Sequence, residues 1–215
     1  LPGRFITLEG GEAAGKSTQI ARLAERLRRQ GRSVLELREP GGTPLGEKIR
    51  HLLKHDPDGR GMAPETELLL MNASRAELVR QRILPALQSG QVVLCDRFYD
   101  STVAYQGHGR GLDLGAVDSV IRLAVGDLRP DRTLWLAVDP EVARAAAADP
   151  LNLGAASVRL GAGGFLAQRR VRHAIASLPR MAMPTLVLHG EADPLVAISG
   201  GSGCRLAGLP SKNPR

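Results

Sequence analysis

The stretch Gly10-Gly11-Glu12-Ala13-Ala14-Gly15-Lys16-Ser17-Thr18 follows the pattern G-x-x-x-x-G-K-[ST], in which a glycine-bounded loop turns its backbone N–H groups inward to hold phosphate. Its flanks decide whether it is more than a turn. Arg4-Phe5-Ile6-Thr7-Leu8 is a short apolar run that predicts a buried strand. Behind the loop, Ile20, Leu23, Ala24 and Leu27 recur at helical spacing, with Arg22, Glu25, Arg26 and Arg29 on the other face. Strand, glycine loop and helix is the context the pattern requires. The helix adds the positive end of its dipole to the loop, Lys16 adds a mobile charge for the outer phosphates, and Ser17 offers a hydroxyl to magnesium. Thr18 is expected to pack or cap the first turn.

Working outward, strands and helices alternate. Gly31 is a natural helix stop, and Ser33-Val34-Leu35-Glu36-Leu37 predicts a second strand that delivers Arg38-Glu39-Pro40-Gly41-Gly42-Thr43 to the phosphate-loop edge of the sheet. A helix from about Gly46 to Lys54 follows. Pro64 opens a long helical stretch with Leu68, Met71, Leu78, Val79 and Ile83 as its apolar stripe, and Pro85 is expected to kink or end it. Arg75 lies one turn beyond Met71, on the same face. Gln91-Val92-Val93-Leu94-Cys95 is a further buried strand ending at Asp96-Arg97, an acid and a base placed for magnesium and for the charge of a transferring phosphate. Cys95 reads as a small core residue.

The next segment, Phe98 to Gln106, is polar and aromatic, and Gly107-His108-Gly109-Arg110-Gly111 reads as a flexible basic loop with a solvated His108. Asp113 caps a helix to about Val125, with Val117, Val120, Ile121, Leu123 and Ala124 as its apolar side. Thr133-Leu134-Trp135-Leu136-Ala137-Val138 predicts a strand ending at Asp139-Pro140. The alternation predicts an α/β fold, a three-layer P-loop NTPase with a parallel sheet and helices on both faces.

Composition narrows the classes of function. The chain has 215 residues, 43% of them hydrophobic and 24% charged, as expected of a globular domain. No apolar run approaches the roughly 20 residues that span a bilayer, and no secretory signal pattern opens the chain, so a cytoplasmic protein without a membrane partner is expected. The two cysteines form neither a disulfide framework nor a metal spacing. From Asp149 onward eight Lys/Arg face three acids, which places +5 of the net +7 in the last third. The basic excess is therefore not a property of the motif-bearing part, and aromatics at 3% leave few stacking platforms, so nucleic acid is not an expected partner.

Four motifs in order resemble thymidylate kinase of the bacterial type. They are Leu8 to Thr18, Arg38 to Thr43, Asp96-Arg97-Phe98 and Ser101-Thr102-Val103-Ala104-Tyr105-Gln106-Gly107, supported by Pro130-Asp131 and by Asp139-Pro140-Glu141-Val142. The resemblance covers about residues 4–145. It implies transfer of the ATP γ-phosphate to dTMP, with Mg2+, in a homodimer. It also implies that Glu12 receives the sugar hydroxyl of dTMP and that Arg38, Arg75 and Arg97 surround its phosphate. Ser101, Tyr105 and Gln106 line the thymine side, Asp96 joins Ser17 in the magnesium and phosphate shell, and Lys16 bridges the phosphates of ATP. Lys16, Arg97 and Glu12 are the expected catalytic residues, and Gly10 through Thr18 the ATP-binding set. Where the family usually has an aromatic ring, this chain has Met71, so thymine would rest on a thioether.

After Ala148 the resemblance stops, and the lid arginines that bacterial-type members supply there are not found. Residues 149–211 instead resemble a C-terminal fragment of an α/β-hydrolase of the lysophospholipase or monoacylglycerol lipase kind, through Met183-Pro184-Thr185-Leu186-Val187-Leu188-His189-Gly190-Glu191-Ala192-Asp193. A serine hydrolase would need a G-x-S-x-G elbow and a histidine after Asp193, and the chain has neither. A milder reading makes Thr185–His189 the last strand of the kinase sheet. The expected organisation is a kinase domain at 1–148, an atypical segment at 149–198 and a flexible tail at 199–215. A nucleotide-binding module without catalysis is the second reading.

Overall fold

The computed structural model describes residues 3–138 and the backbone of residues 185–189. Five strands, β1 (Arg4–Gly10), β2 (Val34–Arg38), β3 (Val92–Asp96), β4 (Arg132–Ala137) and β5 (Thr185–His189), form one parallel sheet in the order β2-β3-β1-β4-β5. β1 is central because it is buried on both faces. Phe5 turns into one apolar cluster with Val93 and Cys95, while Leu8 turns into the other with Val92 and Leu94. Successive side chains of a strand point to opposite faces, so an unbroken apolar run is what a strand covered on both sides requires.

α1 (Lys16–Arg29) covers the second face through Ile20 and Ala24 and stops at Gly31, whose φ is 76°. α2 (Pro44–Lys54) is capped by the Thr43 hydroxyl, which accepts from the Gly46 N–H at 2.9 Å. On the first face lies α3 (Pro64–Leu78), burying Leu68 and Leu78 with Arg75 between them. Pro85, expected to kink or end this helix, does not end it but follows a local change in its form. The chain widens into a π-helical turn at Val79–Ile83 and continues as α4 (Leu84–Gln88). There the Leu84 N–H reaches back to the Val79 carbonyl, and this wider turn takes up the strain that the proline ring brings to a helix interior.

A second expectation changes after β3. α5 (Tyr99–Thr102) runs into a π-helical stretch, Val103–Gly109, so the glycines at 107 and 109 belong to a helix and not to a loop. Gly107 is buried, and a Cβ there would stand 2.7 Å from Leu114 Cδ2. Here glycine serves close packing against the next helix, α6 (Leu114–Val125), which Asp113 caps by accepting from the Ala116 N–H at 2.9 Å. Leu123 is also corrected. It is 82% exposed, because Val117, Ile121, Ala124 and Val125 define the buried face and Leu123 lies outside it. Asp131 ties β1 to the entry of β4, with Oδ2 accepting from the Phe5 N–H at 2.8 Å.

The hydrolase-like stretch and the expected tail lie outside the described residues, apart from the β5 backbone. That backbone pairs with β4 in the register Thr133↔Thr185 to Ala137↔His189. Among the described residues, no helix is long and apolar enough to cross a membrane.

Candidate functional site

The carboxyl ends of β1, β3 and β2 meet on one edge. The register sets Leu8 beside Asp96, and Asp96 beside Arg38, so the phosphate loop, the acid–base pair and the second-strand arginine converge as the sheet rule predicts. The loop is shaped by Gly10 (φ 148°) and Gly15 (φ 78°), with Ala13 also left-handed at φ 57°. At Gly10 a side chain is excluded twice over, since a Cβ would lie 2.7 Å from the Leu136 carbonyl of β4. α1 starts at Gly15 with no side-chain cap, which leaves its first N–H groups for a ligand. Thr18 is exposed at this turn and caps nothing.

The Lys16 side chain is buried and folds over its own loop, donating to the Gly11 carbonyl at 2.7 Å and the Gly10 carbonyl at 3.2 Å. Burial, aided by the charge of Arg97, lowers its ammonium to about 8. A phosphate binds the charged form, so nucleotide affinity should stay level below about pH 8. Above it, the dissociation constant for ATP should rise by up to about tenfold per pH unit as the ammonium deprotonates. Titration calorimetry from pH 7 to 9.5 checks this; a flat profile would contradict it.

Ser17 Oγ donates to Asp96 Oδ2 at 2.9 Å. A hydroxyl and a carboxylate side by side at the mouth of a phosphate loop are hard oxygen donors of the kind magnesium takes when it keeps most of its waters. Donor chemistry and position therefore fit the ion. Arg97, directly after Asp96, lies in the left-handed region at φ 72°, unusual for a side chain of this size. Its Nη1 donates to Ser101 Oγ at 3.0 Å, and its guanidinium lies 5.3 Å from the centre of the Tyr105 ring.

This strained position is held by Glu9, a residue the sequence reading passed over. Glu9 is buried, its Oε1 accepts from the Phe98 N–H at 2.8 Å and its Oε2 accepts from Ser101 Oγ at 2.6 Å. Burial raises its carboxyl above the ordinary value, with Arg97, Ser101 and Phe98 opposing. Beside it, burial and the charge of Glu9 push Asp100 up to about 7. The available signal was position, an acid immediately before the loop at the end of an apolar strand.

The other expected residues divide. Glu12 is half-buried within the electrostatic reach of Lys16 and Arg97. Arg38 is exposed and donates from Nη2 to Glu47 Oε2 at 2.9 Å, while Glu47 Oε1 accepts from the Gly42 N–H at 2.8 Å. Arg75 is 2% exposed, and its nitrogens bond Glu39, Asn72 and Thr102 at 2.6 to 3.1 Å. Its guanidinium is thus spent on protein groups rather than pointed at the phosphate loop. Met71 is half-buried on α3, and Gln106 is buried. Two more cations were missed, Arg50 and Lys54, one helical turn apart on α2. Arg50 donates to the Pro40 carbonyl at 2.8 Å, and it and the exposed Lys54 lie within electrostatic reach of Asp96 and Arg97. Among the described residues no group of three or more His, Cys, Asp or Glu gathers to hold a metal.

A phosphate-holding loop that faces an acid, a hydroxyl and several arginines across a parallel sheet defines a P-loop kinase. The family model described as thymidylate kinase matches residues 8–152. The thymidylate kinase of a Synechococcus strain is 58% identical over 150 residues, 69% of this chain and 71% of that protein. That of Thermomicrobium roseum is 58% identical over 148 residues, 67% of this chain and 69% of its own length. The crystal structure of thymidylate kinase from Ehrlichia chaffeensis superposes with a TM-score of 0.69 at 33% identity, covering 88% of this chain and 92% of that one. This chain belongs to the thymidylate kinase family and is a nucleoside-monophosphate kinase.

Proposed function

We propose that the chain transfers the γ-phosphoryl group of ATP to dTMP. An oxygen of the dTMP phosphate attacks the γ-phosphorus, the bond to the β-phosphate oxygen breaks, and dTDP and ADP are formed. The observation that supports this best is the convergence of Lys16, Ser17, Asp96 and Arg97 at the carboxyl ends of β1 and β3. Such a reaction needs alignment and positive charge rather than a covalent nucleophile. Lys16 leaves the Gly10 and Gly11 carbonyls to meet the ATP phosphates, while the loop N–H groups from Gly10 to Thr18 fix their position. Ser17 and Asp96 would hold Mg2+, which would neutralise phosphate charge there.

Arg97 meets the acceptor phosphate, with Glu9 holding it in place. Arg38 joins when it releases Glu47. Glu12 takes the sugar hydroxyl. Ser101, Tyr105, Gln106, Met71 and Arg75 enclose the nucleoside, with Arg75 acting as a wall fixed by Glu39. The likeness to relatives named thymidylate kinase supports the choice of dTMP. The lid arginines are not found in the sequence after Val138, and we expect slower transfer for want of that charge, by roughly 10³-fold where nothing replaces it. The hydrolase-like segment plays no part in this reading beyond the strand Thr185–His189. The test is dTDP formation from ATP, magnesium and dTMP; binding of both nucleotides with no dTDP formed would remove the catalytic half of the proposal.

A cytoplasmic homodimer completes the reading. Leu69 on α3 and Leu123 on α6 are 58% and 82% exposed on two neighbouring helices, and a second copy would cover such leucines. Sedimentation at micromolar concentration should give twice the 22.9 kDa chain mass. A monomer would exclude the dimer without touching the catalytic assignment.

A further inference from the structure

α3 and the helical stretch after β3 face each other through residues at four-residue intervals, Glu67, Met71 and Arg75 on one side and Thr102, Gln106 and Arg110 on the other. Two polar rungs cross between them. At one end Arg75 Nη2 donates to Thr102 Oγ1 at 2.9 Å. At the other, Gln106 Nε2 donates to Glu67 Oε1 at 2.6 Å, and Arg110 Nη2 donates to Glu67 Oε2 at 2.6 Å. Met71, half-buried, lies on α3 between the rungs. The stretch of α3 between the two rungs, which carries Met71, is the candidate slot for a base.

The Gln106 amide is not free to turn in this slot. A carboxylate only accepts hydrogen bonds, so Glu67 fixes the amide nitrogen toward itself and the amide oxygen away. Gln106 is 2% exposed, yet no donor among the described residues meets its Oε1. Every wholly enclosed side-chain nitrogen or oxygen among those residues is hydrogen-bonded. Oε1 is therefore not wholly enclosed and remains, among the described residues, an acceptor without a donor.

We infer that Glu67 is a specificity-determining residue, acting through Gln106 to select a pyrimidine whose ring nitrogen carries a hydrogen. Thymine and uracil present N3–H to such an acceptor. Cytosine presents a bare N3, and the two acceptors would face each other with neither satisfied. A buried site built for one hydrogen-bonding pattern discriminates strongly against the opposite one. Arg110 contributes by holding the second Glu67 oxygen, which keeps the carboxylate from swinging away. Glu67 is a positioning residue, since it touches Gln106 and not the base. The inference rests on the reading of this slot as the base site of dTMP.

Calorimetric titration of dTMP, dUMP and dCMP into the wild-type chain and into Glu67→Gln separates the two claims. An amide at position 67 can donate or accept, so it lets the Gln106 amide turn over. The ratio of dTMP to dCMP affinity should then fall by about tenfold or more, with dUMP following dTMP and ATP affinity unchanged. Glu67→Asp should recover part of the ratio, and Arg110→Met should lower it less than Glu67→Gln. Should Glu67→Gln fail to fold, as thermal melting would reveal, Arg110→Met and Glu67→Asp carry the test. An unchanged ratio in folded variants, or equal weakening of dTMP and dCMP, would overturn the role of Glu67. A wild-type chain with no preference for dTMP over dCMP would overturn the base-site reading itself.

Discussion

Lys16→Ala should reduce phosphoryl transfer by at least about 10³-fold while leaving the thermal melting point near that of the wild type. The large effect follows from what the ammonium does. It is the only side chain of the loop that brings a full positive charge to the phosphates, and its removal leaves charge that develops in the transition state unanswered. The small effect on folding follows from what it touches. Without nucleotide its partners are two carbonyls of its own loop, at 2.7 and 3.2 Å, and its buried ammonium is already held down to about 8. Steady-state ADP release at saturating dTMP measures the first effect and calorimetric melting the second. A variant that keeps more than a tenth of the wild-type rate would contradict the assignment.

Glu39→Ala should destabilise the fold by about 3–5 kcal/mol, the largest effect on stability expected from one substitution outside the apolar core. Arg75 and Glu39 are 2% and 5% exposed at the side chain and lie 2.6 Å apart. Arg75 also bonds Asn72 and Thr102 and sits 5.5 Å from the centre of the Phe98 ring, so removing the acid strands a buried guanidinium whose neighbours cannot discharge it. The contribution of the pair itself is smaller, because both charges lost water to form it. Burial raises the Glu39 carboxyl and Arg75 pulls against it. Arg75→Met with Glu39→Leu should therefore recover much of the lost stability without recovering dTMP affinity. Urea unfolding of Glu39→Ala and of the double variant, with calorimetric titration of dTMP into the double variant, checks both statements, and a single substitution costing less than about 1 kcal/mol would show that the site relaxes around the missing acid.

Much of the nucleotide end of the site was legible because its signals are local. A glycine spacing, a lysine, and a strand before and a helix after it are readable within a short window, and Asp96-Arg97 announces itself by ending an apolar strand. The sheet followed from the same alternation. What stayed hidden depends on residues distant in the chain. Glu39 and Arg75 are 36 positions apart, and nothing in either segment pairs the one with the other. Glu67 and Gln106 are 39 apart, and nothing in either segment announces the other. The glycines at 107 and 109 read as a loop because glycine is a poor helix former, yet tight packing of Gly107 on Leu114 outweighs that preference. Leu123 read as core because leucine usually is, although the helical period of its buried neighbours leaves it outside.

Arg50 and Lys54 show a third case. Their one-turn spacing on α2 was visible, but only the parallel register of β2 and β3 brings that helix face toward Asp96 and Arg97. Basic residues at that spacing on a helix are ordinarily solvated, and the fold changes their meaning.

A P-loop kinase site of this geometry should phosphorylate dTMP. The most direct test is product analysis of the full chain supplied with ATP and magnesium and with dTMP, dUMP, CMP and AMP in competition. The expected main product is dTDP, formed faster than any other diphosphate and absent with Lys16→Ala. Phosphorylation of CMP or AMP ahead of dTMP would contradict the reading of the base site, and no diphosphate from any of the four would contradict the kinase assignment for this chain.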